Sequence, residues 1–270
     1  MFQPRSFVAA LTALAAVALV ETASPLAAYA SEARPAYQLS LDLDVPMLLL
    51  GGSLSVSYLL MSETDAPGCA PRCNRANVNP FDRPFAGYYS ARWQTAGDLT
   101  TAAVLVLVPA ALIFEEGARS AWTDVLVVGE SVLMTVAVQA PVSYAVGRPR
   151  PRLYGDSAPL SEREGANAGR SFFSGHVANC VAASIATTRA LRRLGRSGLA
   201  RTTLAVGLAG SALVGLARVE AGSHFPSDVL VGAAVGTSFG LAVPALHTLD
   251  LQAMPLAGPQ TSGLAVTGAF

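Results

Sequence analysis

The chain has 270 residues, of which 52% are apolar and 13% charged, and its 18 basic and 18 acidic side chains cancel to a formal net charge of zero. That balance excludes an electrostatic reader of nucleic acid, and a mean hydropathy of +0.44 points to lipid rather than water around much of the surface. All 18 basic residues are arginine.

Residues 1–30 combine Arg5, an apolar run over 7–20 and a small-x-small end at Ala28-Tyr29-Ala30, the pattern of an export signal or of a first transmembrane anchor. A segment over 31–95 follows, with an apolar run at 45–61 and a polar loop at 63–95. In that loop Cys69 and Cys73 flank a proline-containing stretch with no histidine nearby, which favours a disulfide-closed loop over a zinc site. Further apolar runs at 99–114, 125–142, 177–191, 202–217 and 229–246 approach the ~20 residues that a bilayer requires. Their small residues suit close helix packing. Glu130 and Gln139, inside the third of the six runs, read as groups that bond between helices, and Cys180 as a core residue. The expected fold is all-α, an integral membrane bundle of about five to six transmembrane helices, with its helical domain at 96–247 and a tail at 248–270 that forms an extension or one docked strand.

Orientation follows from arginine. Arg189, Arg192, Arg193, Arg196 and Arg201 crowd one connection with no acidic residue among them, and short basic loops stay cytoplasmic. Counting outward places the histidine clusters on the external face, provided that 45–61 does not cross fully after a cleaved signal. Gly51-Gly52 permits such a re-entrant or interfacial path.

Two of the three histidines stand in ordered polar clusters: His176 in Phe173-Ser174-Gly175-His176, and His224 four residues before Asp228. A neutral imidazole is a nucleophile, a carboxylate that takes the proton of its far nitrogen steadies the cation formed on attack, and a second imidazole protonates the departing oxygen. Phosphoryl transfer also needs cationic forks on the equatorial oxygens, and Arg150 and Arg218 fit, with Arg148 a weaker candidate. Ser174 and Gly175 open a helix whose free amides can face the same anion. This arrangement calls for no metal and no cofactor.

The ordered clusters Gly147-Arg148-Pro149-Arg150-Pro151, Ser171-Phe172-Phe173-Ser174-Gly175-His176, and Ala217-Arg218 through His224 to Asp228 resemble the three-part signature of the type 2 phosphatidic acid phosphatase superfamily, over about 125–246. That superfamily includes membrane lipid phosphatases, soluble bacterial acid phosphatases and vanadium haloperoxidases. The resemblance implies His224 as nucleophile, Asp228 as its orienting partner, His176 as acid and base, and a lipid phosphate or diphosphate, such as polyprenyl diphosphate or phosphatidate, hydrolysed at the outer face of a bacterial inner membrane. Three positions depart from the signature: Ser143 where the family has lysine, Phe173 in place of proline, and Ala217 in place of serine. The lysine loss removes a charge that Arg148 or Arg152 could restore, and it keeps a catalytically weakened relative in view. A secreted soluble acid phosphatase and a vanadate-dependent haloperoxidase would carry the same three clusters.

Overall fold

Six long helices carry the described chain, and each begins or ends where local chemistry dictates. In this computed structural model residues 35–60, 66–248, 250–258 and 261–269 are described, so the candidate signal at 1–30 lies outside them. Residues 35–270 form one unit. The helices are α1 (Leu41–Leu60), α2 (Ala91–Glu116), α3 (Ala118–Val146), a short α4 (Leu160–Glu164), α5 (Gly175–Arg193), α6 (Ser197–Glu220) and α7 (Pro226–Leu246). Ser90 caps α2 by accepting the Trp93 amide. Gly147, at φ +57°, ends α3 in the left-handed conformation and turns the chain directly into Arg148. Pro226 starts α7, where its missing N–H costs nothing.

The bundle is wound around α5, which packs against α2, α3, α6 and α7. Sequence hydropathy predicts five to six spanning helices. Among the described residues, four are long and apolar enough to cross a membrane: α2, α3, α6 and α7. Helix α5 is not among them because its neighbours shield it from lipid. It is built of Ala, Ser, Thr, Asn and Cys, and Cys180, Ala182, Ala183, Ala186 and Ala190 are fully buried. The buried hydroxyls of Ser184 and Thr188 bond to the carbonyls of Cys180 and Ser184 four residues back, so they need no water.

The outward faces settle the choice of solvent. Leu99, Leu107 and Phe114 on α2 are 67%, 67% and 90% exposed, and Leu230 on α7 is 62% exposed. Apolar side chains in continuous rows on helices of this length require lipid. The protein is a membrane protein, as its composition anticipates.

Close approach of α7 to α5 rests on a stripe of glycines. A Cβ on Gly232, Gly236 or Gly240 would lie 2.5, 2.3 or 2.9 Å from the carbonyl oxygens of Ser174, Ala178 and Ala182. The stripe sets the start of α7 beside the start of α5, and the Ser174 amide donates to the Asp228 carbonyl at 3.0 Å. Two of the three polar clusters are thereby joined.

Helix α1 crosses the bundle. Its leading end sits among the arginines, where Arg193 donates to the Ala36 carbonyl and lies over the Tyr37 ring. Gly51 meets Leu133 halfway along α3, and Pro67 packs on Gly169 at the opposite end. The re-entrant path that Gly51-Gly52 allows is not taken. Cys69 and Cys73 form the expected disulfide, in a loop that joins Val78, Ala86, Leu153, Tyr154 and Phe225 in an apolar cluster over the end bearing the polar motifs. The tail forms an antiparallel hairpin, β1 (Asp250–Gly258) with β2 (Thr261–Ala269), in place of a single docked strand or a plain extension.

Candidate active site

His224 stands in the turn between α6 and α7. Gly222 makes that turn at φ +66°, and a Cβ there would fall 1.9 Å from the Tyr88 carbonyl, so the position accepts only glycine. The Gly222 carbonyl accepts the Arg152 amide, which ties the turn to the loop that follows α3. The ring of His224 is 3% exposed, and its Nδ1 lies 2.6 Å from the Ser171 carbonyl. A carbonyl can only accept, so Nδ1 carries the proton and Nε2 carries the lone pair. Burial, followed by the charges of Arg150 and His176, pushes the imidazole well below its ordinary range, against the opposing pull of the Ser171 carbonyl. His224 is therefore neutral at physiological pH.

The same electrostatic neighbourhood contains Arg150, Arg218 and His176, so the sequence clusters do meet. Arg218 is 4% exposed and its guanidinium binds Asp98 of α2, packed so closely against α2 that a Cβ on Gly97 would lie 3.2 Å from Arg218 Nε. His176, in the first turn of α5, has Nε2 3.8 Å from the same Asp98 oxygen. Asp98 thus stands between Arg218 and His176. Ser174 ends the loop before α5 with its hydroxyl fully buried and without a hydrogen-bond partner among the described residues. Gly175 lies against Gln139 of α3, where a Cβ would meet Cγ at 3.2 Å. An open cavity of about 300 Å³ adjoins Arg150 and is lined also by Gln94, Arg152, Glu162 and Asn167. Neither histidine lines it, and Arg150 is the residue common to the cavity and the imidazole pair.

Two expected roles change. Asp228 does not bond His224. It is the third residue of α7, so its carboxylate folds back onto the Phe225 amide at 2.8 Å, accepts the Ser171 hydroxyl at 2.6 Å and binds Arg148. The route from Asp228 to His224 runs through Ser171, whose carbonyl accepts the hydrogen bond of the imidazole Nδ1–H. Arg148 is not a free phosphate fork either. Its Nη1 binds Asp228 and the Ser227 hydroxyl, its Nη2 binds Asp82 at 2.7 Å, and its guanidinium lies 4.5 Å from the centre of the Phe225 ring.

Asp82 comes from the disulfide loop and is fully buried, accepting from Asn79, Arg148, and both the amide and hydroxyl of Ser227. Burial alone would raise its pKa, but the bonds from Ser227, Arg148 and Asn79 hold the carboxyl below its usual range. Sequence reasoning does not single out Asp82 or Asp98, and it quotes Ser171 in the second cluster without giving it a role. The legible sign for Asp98 is a lone acid at the edge of an apolar run. Ser143, where the signature has lysine, is fully buried with its hydroxyl on the Ala140 carbonyl. Arg152 is 4% exposed, lines the cavity and pairs with Glu162 at 2.7 Å.

A family model described as the PAP2 superfamily matches residues 124–250, the stretch that holds all three clusters. The likeness to that superfamily is confined to this segment, just under half of the chain. Among solved structures, the chain is similar to the crystal structure of the first transmembrane PAP2-type phosphatidylglycerolphosphate phosphatase from Bacillus subtilis, at 20% identity and a TM-score of 0.44, over 75% of this chain and 94% of that one. No curated protein matches the chain.

Proposed function

We propose that the chain is a metal-independent membrane phosphatase that hydrolyses a lipid phosphate or diphosphate through a phosphohistidine. The observation that carries the reading is the fixed tautomer of His224. Its Nδ1–H is held by Ser171, which leaves the lone pair on Nε2, and Arg150, Arg218 and His176 are its electrostatic neighbours; burial and the Arg218 charge push the His176 imidazole down to about 4, so it takes up its proton with the incoming acidic phosphate. In the proposed reaction Nε2 attacks phosphorus and the bond to the leaving alcohol or phosphate breaks as His176 protonates the departing oxygen. Water then attacks the phosphohistidine, with His176 accepting its proton and His224 returning to neutrality. Arg150, Arg218, the free Ser174 hydroxyl and the first amides of α5 hold the equatorial oxygens. Asp98 positions Arg218 and His176, and Asp228 positions His224 through Ser171.

The lipid-facing helices favour a lipid substrate over that of a soluble acid phosphatase, because an acyl or prenyl tail can remain in the bilayer while the head group reaches the arginines. The site shares its end of the bundle with the disulfide loop, and the arginine-rich connection lies at the other end. Basic connections remain cytoplasmic and disulfides form outside, so the site is assigned to the external face. Residues 36–37 then lie on the cytoplasmic side.

The test is phosphate release from a panel of lipid phosphates and diphosphates by detergent-purified protein, beside His224→Ala and His176→Ala. Turnover is expected to vanish in the first and to slow by roughly 10²–10⁴-fold in the second. Equal release by all three proteins would overturn the mechanism.

A further inference from the structure

At the end of the bundle remote from His224, a second set of ionisable groups converges that the phosphatase reading leaves unused. His247, directly after α7, has Nε2 2.7 Å from Asp44 Oδ1 of α1 and 3.1 Å from Glu130 Oε2 of α3. The three ligand atoms all lie within 4.8 Å of one another. Along α7, at ~1.5 Å per residue, this cluster is about 28 Å from Asp228.

We propose that Asp44, Glu130 and His247 form a binding site for one divalent transition ion of the zinc class. The imidazole is set for ligation: its Nδ1 is 2.9 Å from the Val243 carbonyl, one turn back, so Nδ1 carries a proton and Nε2 is directed at the two carboxylates. A backbone carbonyl on the far nitrogen is the usual outer partner of a metal-bound histidine. Glu130 is 1% exposed, and its Oε1 has no hydrogen-bond partner among the described residues, an unsatisfied oxygen in the interior of a membrane protein. Asp44 uses Oδ2 to accept the Ser40 amide at the start of α1, which leaves Oδ1 facing the imidazole.

Charge balance supports the same occupant. Two carboxylates with a neutral imidazole sum to two negative charges, and a protonated imidazole still leaves one. Arg189 and Arg193 stand beside the Tyr37 ring, and neither forms an ion pair with Asp44 or Glu130 among the described residues. An uncompensated buried charge costs several kcal/mol, whereas a divalent ion brings the cluster to neutrality. One nitrogen and two carboxylate oxygens are a ligand set that zinc accepts, with water completing a tetrahedron at ~2.0–2.2 Å per bond. Ion entry is open, since a cavity of about 460 Å³ reaches His247 past Ser40, Leu43 and Leu246. The bound ion would join α1, α3 and α7 at the arginine end.

The test uses the full chain in detergent, stripped with EDTA, incubated separately with Zn²⁺ and Mg²⁺, and desalted before elemental analysis. One zinc per chain is expected, with magnesium at background. Glu130→Gln and His247→Ala should each lower zinc occupancy by roughly tenfold or more, while His224→Ala retains it. Zinc should also raise the unfolding midpoint of the stripped wild type and leave that of Glu130→Gln unchanged. The near-isosteric glutamine keeps the fold, which its gel-filtration profile monitors. Zinc at background in the wild type, or equal zinc in the wild type and both cluster variants, would overturn the site and show that an imidazolium alone bridges the two acids. Neither result bears on the phosphatase reading.

Discussion

Arg148→Ala separates a brace from a phosphate ligand. The guanidinium spans Asp82 and Asp228, both fully buried, and is the one cation bonded to either carboxylate among the described residues. Breaking a buried ion pair from one side costs ~3–5 kcal/mol, because the abandoned charge stays in the interior. Each acid retains other donors: Asn79 and Ser227 for Asp82, Ser171 and the Phe225 amide for Asp228. Those bonds place the loss at the low end, about 3 kcal/mol. Because Asp228 steadies Ser171, and Ser171 fixes the His224 tautomer, kcat should fall while KM stays nearly constant. Were Arg148 instead a substrate fork, losing a charge-assisted bond worth ~1.5–3 kcal/mol would raise KM by roughly tenfold or more. Chemical denaturation in detergent, combined with steady-state kinetics on the best lipid phosphate of the panel, reads both quantities. An unchanged denaturation midpoint with a raised KM would refute the brace.

Gly236→Ala drives a methyl to 2.3 Å from the Ala178 carbonyl, a backbone atom that cannot step aside, so α7 must shift from α5 at a cost of ~1–3 kcal/mol, measurable by the same denaturation. Since the proposed nucleophile must be neutral and burial lowers the pKa of His224, the acid limb of kcat assigned to that residue should lie below the ordinary imidazole value of ~6.5. The sign for stability is the reverse of a stabilising cation: the unfolded imidazole takes its proton near ~6.5 and the folded one does not, so stability falls as pH drops through that range. His224→Ala should flatten this part of a stability profile. Chelation should leave turnover intact while vanadate inhibits by occupying the oxyanion cradle, and a strict requirement for a divalent ion in turnover would count against the mechanism.

The three clusters are legible in the sequence because they are ordered and chemically specific, and the bundle because apolar runs of bilayer length recur. What sequence does not supply is the partner of each side chain. Asp228 reads as the natural companion of His224 four residues away, but its place in the first turn of α7 commits one oxygen to the Phe225 amide and brings Ser171 between the two. Asp82 and Asp98 are single polar residues without motif spacing, Ser171 heads the second cluster with no role assigned to it, and all three become functional candidates only when the disulfide loop, α2 and the loop before α5 converge. Helix α5 shows the limit of hydropathy. A central helix is insulated from lipid by its neighbours, so its composition reports packing rather than membrane crossing.

Location bears on which arginine could offset the missing lysine. Of the two that could replace its charge, Arg148 is occupied on both terminal nitrogens by Asp82, Ser227 and Asp228, and its charge is cancelled by two buried acids. Arg152 stands with Arg150 on one cavity wall and meets a single carboxylate, that of Glu162, which is itself 31% exposed. A half-open acid on a five-residue helix can release its partner to an incoming phosphate at small cost, whereas two fully buried acids cannot. We therefore propose Arg152 as the residue that compensates for Ser143. Accordingly, Arg152→Ala should raise KM for the lipid phosphate, and Glu162→Gln, by freeing the guanidinium, should lower it.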